Sequence, residues 1–184
     1  MNMLASRGQL RGSFIRWALL FVPGLILLGM LCAQLSGSGP DDPWFAQLVK
    51  PAAYPAPAVF AVVWTILYAL MGFALALVVS ARGAARRGAA VIAFLVQLAL
   101  NLAWSPLFFG AHQITGALML IGFLDAAVVV TIVLFWRIRP AAALLLTPYL
   151  VWIVFATFLN WELRLNNLAM DGREIPAPVT RIEF

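Results

Sequence analysis

Long charge-free apolar runs dominate the chain. They extend from Trp17 to Pro40, from Pro51 to Ala81, from Gly88 to Leu124 and from Pro140 to Trp161. A helix needs about 20 apolar residues to cross the hydrocarbon core of a bilayer. The third run is too long for one crossing and is broken by Ser105-Pro106 and by Gly110-Ala111-His112-Gln113. Proline removes a helical hydrogen bond and glycine loosens the backbone, so two helices are expected there. The second of this pair continues through Asp125 to Trp136. The pattern predicts five helices, roughly 15–36, 58–80, 89–109, 114–136 and 141–164. Strands of a membrane barrel would alternate with period two, whereas these runs are continuous. The expected fold is an all-α integral membrane protein, a bundle of five transmembrane helices over residues 14–167. A short N-terminal segment (1–13) and a polar tail (168–184) flank it.

Composition sharpens this. Of 184 residues, 64% are hydrophobic and 10% charged. A soluble domain is about half apolar and a quarter charged, so a soluble enzyme is excluded, and so is a disordered chain. The net charge of +5 is carried by too few residues to coat a nucleic-acid-binding face. Single copies of cysteine (Cys32) and histidine (His112) exclude a disulfide framework and a multi-Cys or multi-His metal site.

Charge placement predicts the topology. Arg7, Arg11 and Arg16 precede the first helix, Arg82, Arg86 and Arg87 lie between the second and third, and Arg137 and Arg139 lie between the fourth and fifth. Basic residues in short loops stay cytoplasmic, so the N-terminus is expected there, with the first loop and the C-terminus on the opposite side. The first apolar run exceeds a signal-peptide core and lacks a clear cleavage site, so the first helix reads as retained.

The first loop, 37–57, is proline- and glycine-rich and carries Trp44 and Tyr54. It reads either as an ordered lid or as an interfacial aromatic anchor. The tail from Asn166, with Pro176 and Pro178, is expected to be loose.

Three helices place polar and aromatic residues on one stripe. These are Trp64, Tyr68 and Met71 in the second, Gln97, Asn101, Trp104 and Phe108 in the third, and Tyr149, Trp152, Ala156 and Asn160 in the fifth. The spacings stack side chains along one face, and lipid has no use for Asn or Gln, so the stripes should face inward. They would line a pocket for a large, flat, mostly apolar ligand, or serve as hydrogen-bonding glue between helices. Asp125, an acid inside a span, reads as a structural hydrogen bond or a protonated carboxyl rather than a proton relay. His112 reads as a solvated loop residue. Ala85, Ala89 and Ala93 in the third helix form a small-residue pattern through which a homodimer is expected. No nucleophile elbow, phosphate-binding glycine loop, zinc-protease motif or carboxylate pair is present.

Three blocks of sequence resemble one family. Lys50-Pro51, Pro55, Val59-Phe60 and Trp64-Thr65 through Tyr68 to Met71-Gly72 form the first. Gln97, Asn101 and Trp104-Ser105-Pro106 to Phe108-Phe109-Gly110 form the second; Pro148-Tyr149, Trp152, Phe155-Ala156 and Leu159-Asn160 form the third. In this order they resemble the TspO/MBR family, which comprises the tryptophan-rich sensory proteins of bacteria and the mitochondrial translocator protein. The resemblance implies a five-helix bundle closed by the first loop over a ligand pocket. It implies homodimers and binding of porphyrins such as protoporphyrin IX or haem, with no obligatory cofactor. The positions it assigns to the pocket are Trp64, Tyr68, Asn101, Trp152, Ala156 and Leu159, with Trp44 in the lid. Ala53 and Ala56 stand where family loops often carry an aromatic and a second proline, and Trp161 departs from the animal sterol motif, so no sterol site is expected. The function implied is a membrane-embedded tetrapyrrole-binding regulatory or sensory protein. A light-dependent porphyrin-degrading enzyme and a porphyrin or sterol transporter are the alternatives.

Overall fold

The structure is a computed structural model and describes residues 7–173. Five long helices carry the fold: α1 (Arg7–Leu35), α3 (Pro57–Val79), α4 (Arg87–Ser105), α5 (Ile114–Trp136) and α6 (Pro140–Asn166). The short α2 (Pro43–Gln47) lies in the first loop. All five long helices have the length and apolar composition to cross a membrane, and the described residues contain no strand.

Local chemistry sets the helix ends. Pro57 and Pro140 open α3 and α6, where the missing N–H is no loss. Asp42 caps α2, its carboxylate accepting from the Phe45 amide at 2.6 Å. Pro106 ends the regular part of α4 and starts a wide π-helical turn, Pro106–Gly110, closed by the Ala111 amide on the Pro106 carbonyl at 2.9 Å. That turn points Phe108 inward, where it is fully buried.

The helices close into a ring in the order α1, α3, α6, α5, α4, with α4 returning to α3 and α1. The main core is built from α3, α4, α5 and α6, including Met71, Phe94, Leu124, Phe135, Tyr149 and Ile153. Among the described residues of α1, Leu25 joins it and Phe21 packs against it, while Leu19, Leu27 and Leu35 of that helix are well exposed. Such outward apolar side chains recur on every span, Phe123 and Val151 among them, as a lipid-facing surface requires. Helix α1 is held to α3 by close approach at glycine. A Cβ on Gly72 would lie 2.8 Å from the Val22 Cα, and one on Gly29 would strike the Tyr68 ring.

Several expectations need adjustment. Helix α1 starts at Arg7, about two turns before the expected residue, because polar residues extend a helix readily beyond the apolar layer. Ala85 lies in the turn before α4, so the small-residue pattern within that helix reduces to Ala89 and Ala93. The tail is not loose from Asn166: residues 167–173 are tied to the first loop and to the α4–α5 turn. Residues 1–6 and 174–184, with Pro176 and Pro178, lie outside the described residues.

Asp125 makes the expected structural contact. Thr157 Oγ1 lies 2.8 Å from Asp125 Oδ2 and 2.9 Å from the Ile153 carbonyl. The one hydroxyl proton is shared between the two acceptors in a three-centre bond, or a protonated Asp125 donates to Thr157. The pair ties α5 to α6.

Candidate functional site

The three stripes face one another inside the ring. Tyr68 of α3 reaches across to α4, its hydroxyl donating to Asn101 Oδ1 at 2.7 Å. Trp64 packs against Tyr68 and, at 6.3 Å between ring centres, edge-on against Tyr149 of α6. One turn nearer the first loop, Trp104 Nε1 donates to Asn160 Oδ1 at 3.1 Å, and Asn160 Nδ2 donates to the Ile114 carbonyl at 3.1 Å. Trp104 also stacks on Phe108 at 4.8 Å. Trp152 meets Phe60 of α3 edge-on at 5.7 Å. Ala156 packs half-buried against the core, and Leu159 is buried.

The first loop caps this stack. Trp44 is 1% exposed and lies edge-on to Phe108 at 5.4 Å. Its other face stacks on the His112 imidazole at 4.6 Å. Phe45 fills the space between Tyr54, Phe108 and Phe109, with the Lys50 ammonium 4.6 Å over its ring. Burial pushes the Tyr54 phenol up to about 12, so it stays neutral at physiological pH. The loop is therefore an ordered cover, with Trp44 turned inward rather than out to a headgroup. His112, read as solvated, is half-buried under Trp44.

Part of the inner face satisfies itself, as the glue reading requires: Tyr68 with Asn101, and Trp104 with Asn160. Another part does not. Both amide atoms of Gln97, the Tyr149 hydroxyl and Trp152 Nε1 are buried without a hydrogen bond in the protein. Tyr149 lies beside Asn101, but not in bonding geometry. Buried polar groups are nearly always paired, and Gln97 on α4 and Tyr149 and Trp152 on α6 depart from that rule. The rings around them supply flat apolar walls.

Two open depressions lie elsewhere. One of about 700 Å³ is bordered by Ser80–Ala84 and Ile138–Ala141, and one of about 660 Å³ by Trp17, Arg82, Arg87 and Val91. Both open onto the arginine-bearing end and touch none of the stripes. The stripes hold the buried polar and aromatic side chains; the depressions are gaps near the loop ends.

Sequence reasoning missed some participants. Phe60 backs Trp152, Phe45 seals the cover, and Gln97 was seen on its stripe without being assigned to the site. Phe60 falls one turn before Trp64 on α3, so the same helical spacing contained the signal. Among the described residues no group of three or more His, Cys, Asp or Glu side chains is placed to hold a metal.

Most of the chain matches known proteins. The model of the TspO/MBR family matches residues 18–165. The human translocator protein is 40% identical over 136 residues, covering 72% of this chain and 80% of its own length. The tryptophan-rich protein TspO of Chlorobaculum tepidum is 40% identical over 129 residues, 69% of this chain and 82% of its own. The tryptophan-rich sensory protein of Cereibacter sphaeroides is 37% identical over 151 residues, 82% of this chain and 92% of its own. With five membrane-spanning helices and this extent of similarity, the chain is an integral multi-pass membrane protein and belongs to the TspO/MBR family.

Proposed function

We propose that the chain binds a flat tetrapyrrole between the stripes of α3, α4 and α6, beneath the first loop, and acts as a regulatory or sensory protein. The observation that carries this reading is the set of unpaired buried groups, Gln97 on α4 and Tyr149 and Trp152 on α6, with Tyr149 against the Trp64 ring and Trp152 against Phe60. A macrocycle offers apolar faces to the rings, and its pyrrole nitrogens and propionates offer partners to the amide, phenol and indole groups. The three stripes carry no imidazole or thiolate, so the donor set suits the ring and its side chains rather than an axial bond to haem iron. The relatives' names speak of translocation and of sensing; binding is the step both need.

The rings now pack on one another, so a ligand would replace ring–ring contacts with ring–macrocycle contacts. The same reading places the arginine-bearing end in the cytoplasm and the first loop on the opposite side. It includes a homodimer through α4, where Ala89 is exposed and Ala93 half-buried.

The test is a titration of purified protein with protoporphyrin IX in the dark, following tryptophan fluorescence. Wild type should show saturable quenching near about micromolar concentration, and Trp64→Ala/Trp152→Ala should weaken affinity at least about tenfold with the fold retained. Equal affinity in both proteins would remove the assignment.

A further inference from the structure

The first loop is tied down by residues far away in sequence. Asn167 is buried just beyond α6, and its amide meets Val49 in both directions. Its Oδ1 accepts from the Val49 amide at 2.8 Å, and its Nδ2 donates to the Val49 carbonyl at 2.9 Å. The second Nδ2 proton goes to the Leu163 carbonyl at 2.8 Å, so the last turn of α6 fixes the amide's orientation. A side chain that pairs with both the N–H and the C=O of one residue copies a rung of a β-ladder.

The residues that follow extend the attachment. The Met170 carbonyl accepts from Trp44 Nε1 at 3.1 Å. The Asp171 carboxylate accepts from the Thr115 amide at 3.2 and 3.3 Å, capping α5, which has no side-chain cap of its own. The Gly172 amide donates to the His112 carbonyl at 2.8 Å. Gly172 takes φ +71°, and a Cβ there would come within 3.0 Å of Gln113 Nε2, so glycine suits this crossing.

What the loop lacks matters as much. Among the described residues, every other hydrogen bond of residues 39–56 is local: Asp42 to Phe45, Gln47 to Pro43, Lys50 to Phe45 and Leu48, and the backbone turns. Among the described residues, the long-range bonds of the loop end on Asn167 and Met170.

We propose that Asn167 and the segment through Gly172 form a clasp that holds the first loop shut, and that opening of this clasp admits ligand to the stripes. The gating part rests on the tetrapyrrole reading; the clasp itself does not. The chemistry favours a reversible latch. The bonds that reach the loop, from Asn167 and Met170, are neutral pairs at the edge of the apolar layer, where water replaces them once the loop lifts.

The experiment uses the full chain as wild type, Asn167→Ala and Trp44→Phe. The second variant keeps a ring against Phe108 and removes the bond to Met170 with part of the stack on His112. Backbone hydrogen exchange across residues 45–50 is read without ligand, and protoporphyrin IX association is then followed by stopped flow. Asn167→Ala should speed both by about tenfold, the equivalent of one to two net hydrogen bonds, with exchange in the five spans unchanged. Trp44→Phe should move both in the same direction by less. Unchanged loop exchange in both variants overturns the clasp, and faster exchange with unchanged association overturns its role as a gate. If wild type takes up no protoporphyrin, the binding proposal fails while exchange alone still decides the clasp. If Asn167→Ala does not fold, Trp44→Phe carries the same two readouts.

Discussion

Gly72→Ala is expected to lower stability by about 2–3 kcal/mol, the upper part of the range for overpacking a close contact. The reason is the identity of the neighbour. A Cβ on residue 72 would lie 2.8 Å from the Val22 Cα and 2.9 Å from its nitrogen. Backbone atoms of a helix have no rotamer to change, so the whole of α1 must move off α3. Gly29→Ala is the informative control. Its Cβ strikes the Tyr68 ring, which can turn away at the cost of its bond to Asn101. It should therefore cost less stability but disturb the inner face more. Thermal unfolding in detergent measures both. A Gly72→Ala protein within about 0.5 kcal/mol of wild type would mean that α1 is not held as described.

Asn160→Leu is expected to cost about 2 kcal/mol. Leucine has similar volume but leaves the Trp104 indole N–H with no partner and takes one bond from the Ile114 carbonyl. Asn160 is 1% exposed, so water cannot readily take its place. Side-chain hydrogen bonds within membranes average about 0.6 kcal/mol, and two bonds on one residue with an orphaned donor raise the figure. Adding Trp104→Phe removes the orphan, so the double variant should recover part of the loss. Additive costs in this cycle would show that the two side chains are not coupled.

The extent to which the site was legible follows from these residues. Trp64, Tyr68, Asn101, Trp104, Tyr149 and Trp152 stood out because each repeats at helical spacing inside a span where lipid excludes polar groups. That constraint acts through one helix at a time, so one sequence displays it. The orphaned state of Gln97, Tyr149 and Trp152 could not be read. It depends on what the neighbouring helices fail to offer. The helix–glycine contacts were equally hidden: Gly29 and Gly72 are ordinary glycines until Val22 and Tyr68 are placed against them. The clasp is the extreme case. Val49 and Asn167 are separated by 118 residues, and an asparagine in a polar tail carries no local sign of a buried partner. Trp44 was readable as an aromatic in a loop, but its inward turn rests on Met170 and His112, residues with no spacing relation to it. The break near Pro106 was legible because proline acts within its own turn.

The seven tryptophans provide the most direct test of the central claim, that a tetrapyrrole sits between the stripes of α3, α4 and α6. Fluorine NMR of 5-fluorotryptophan-labelled protein, assigned by single Trp→Phe variants, reads all of them at once while protoporphyrin IX is added in the dark. The macrocycle's ring current should shift Trp64, Trp104 and Trp152 strongly. Trp17 at the arginine-bearing end and the exposed Trp136 and Trp161 should stay in place. Shifts confined to Trp17, Trp136 or Trp161, or none at saturation, would contradict the account.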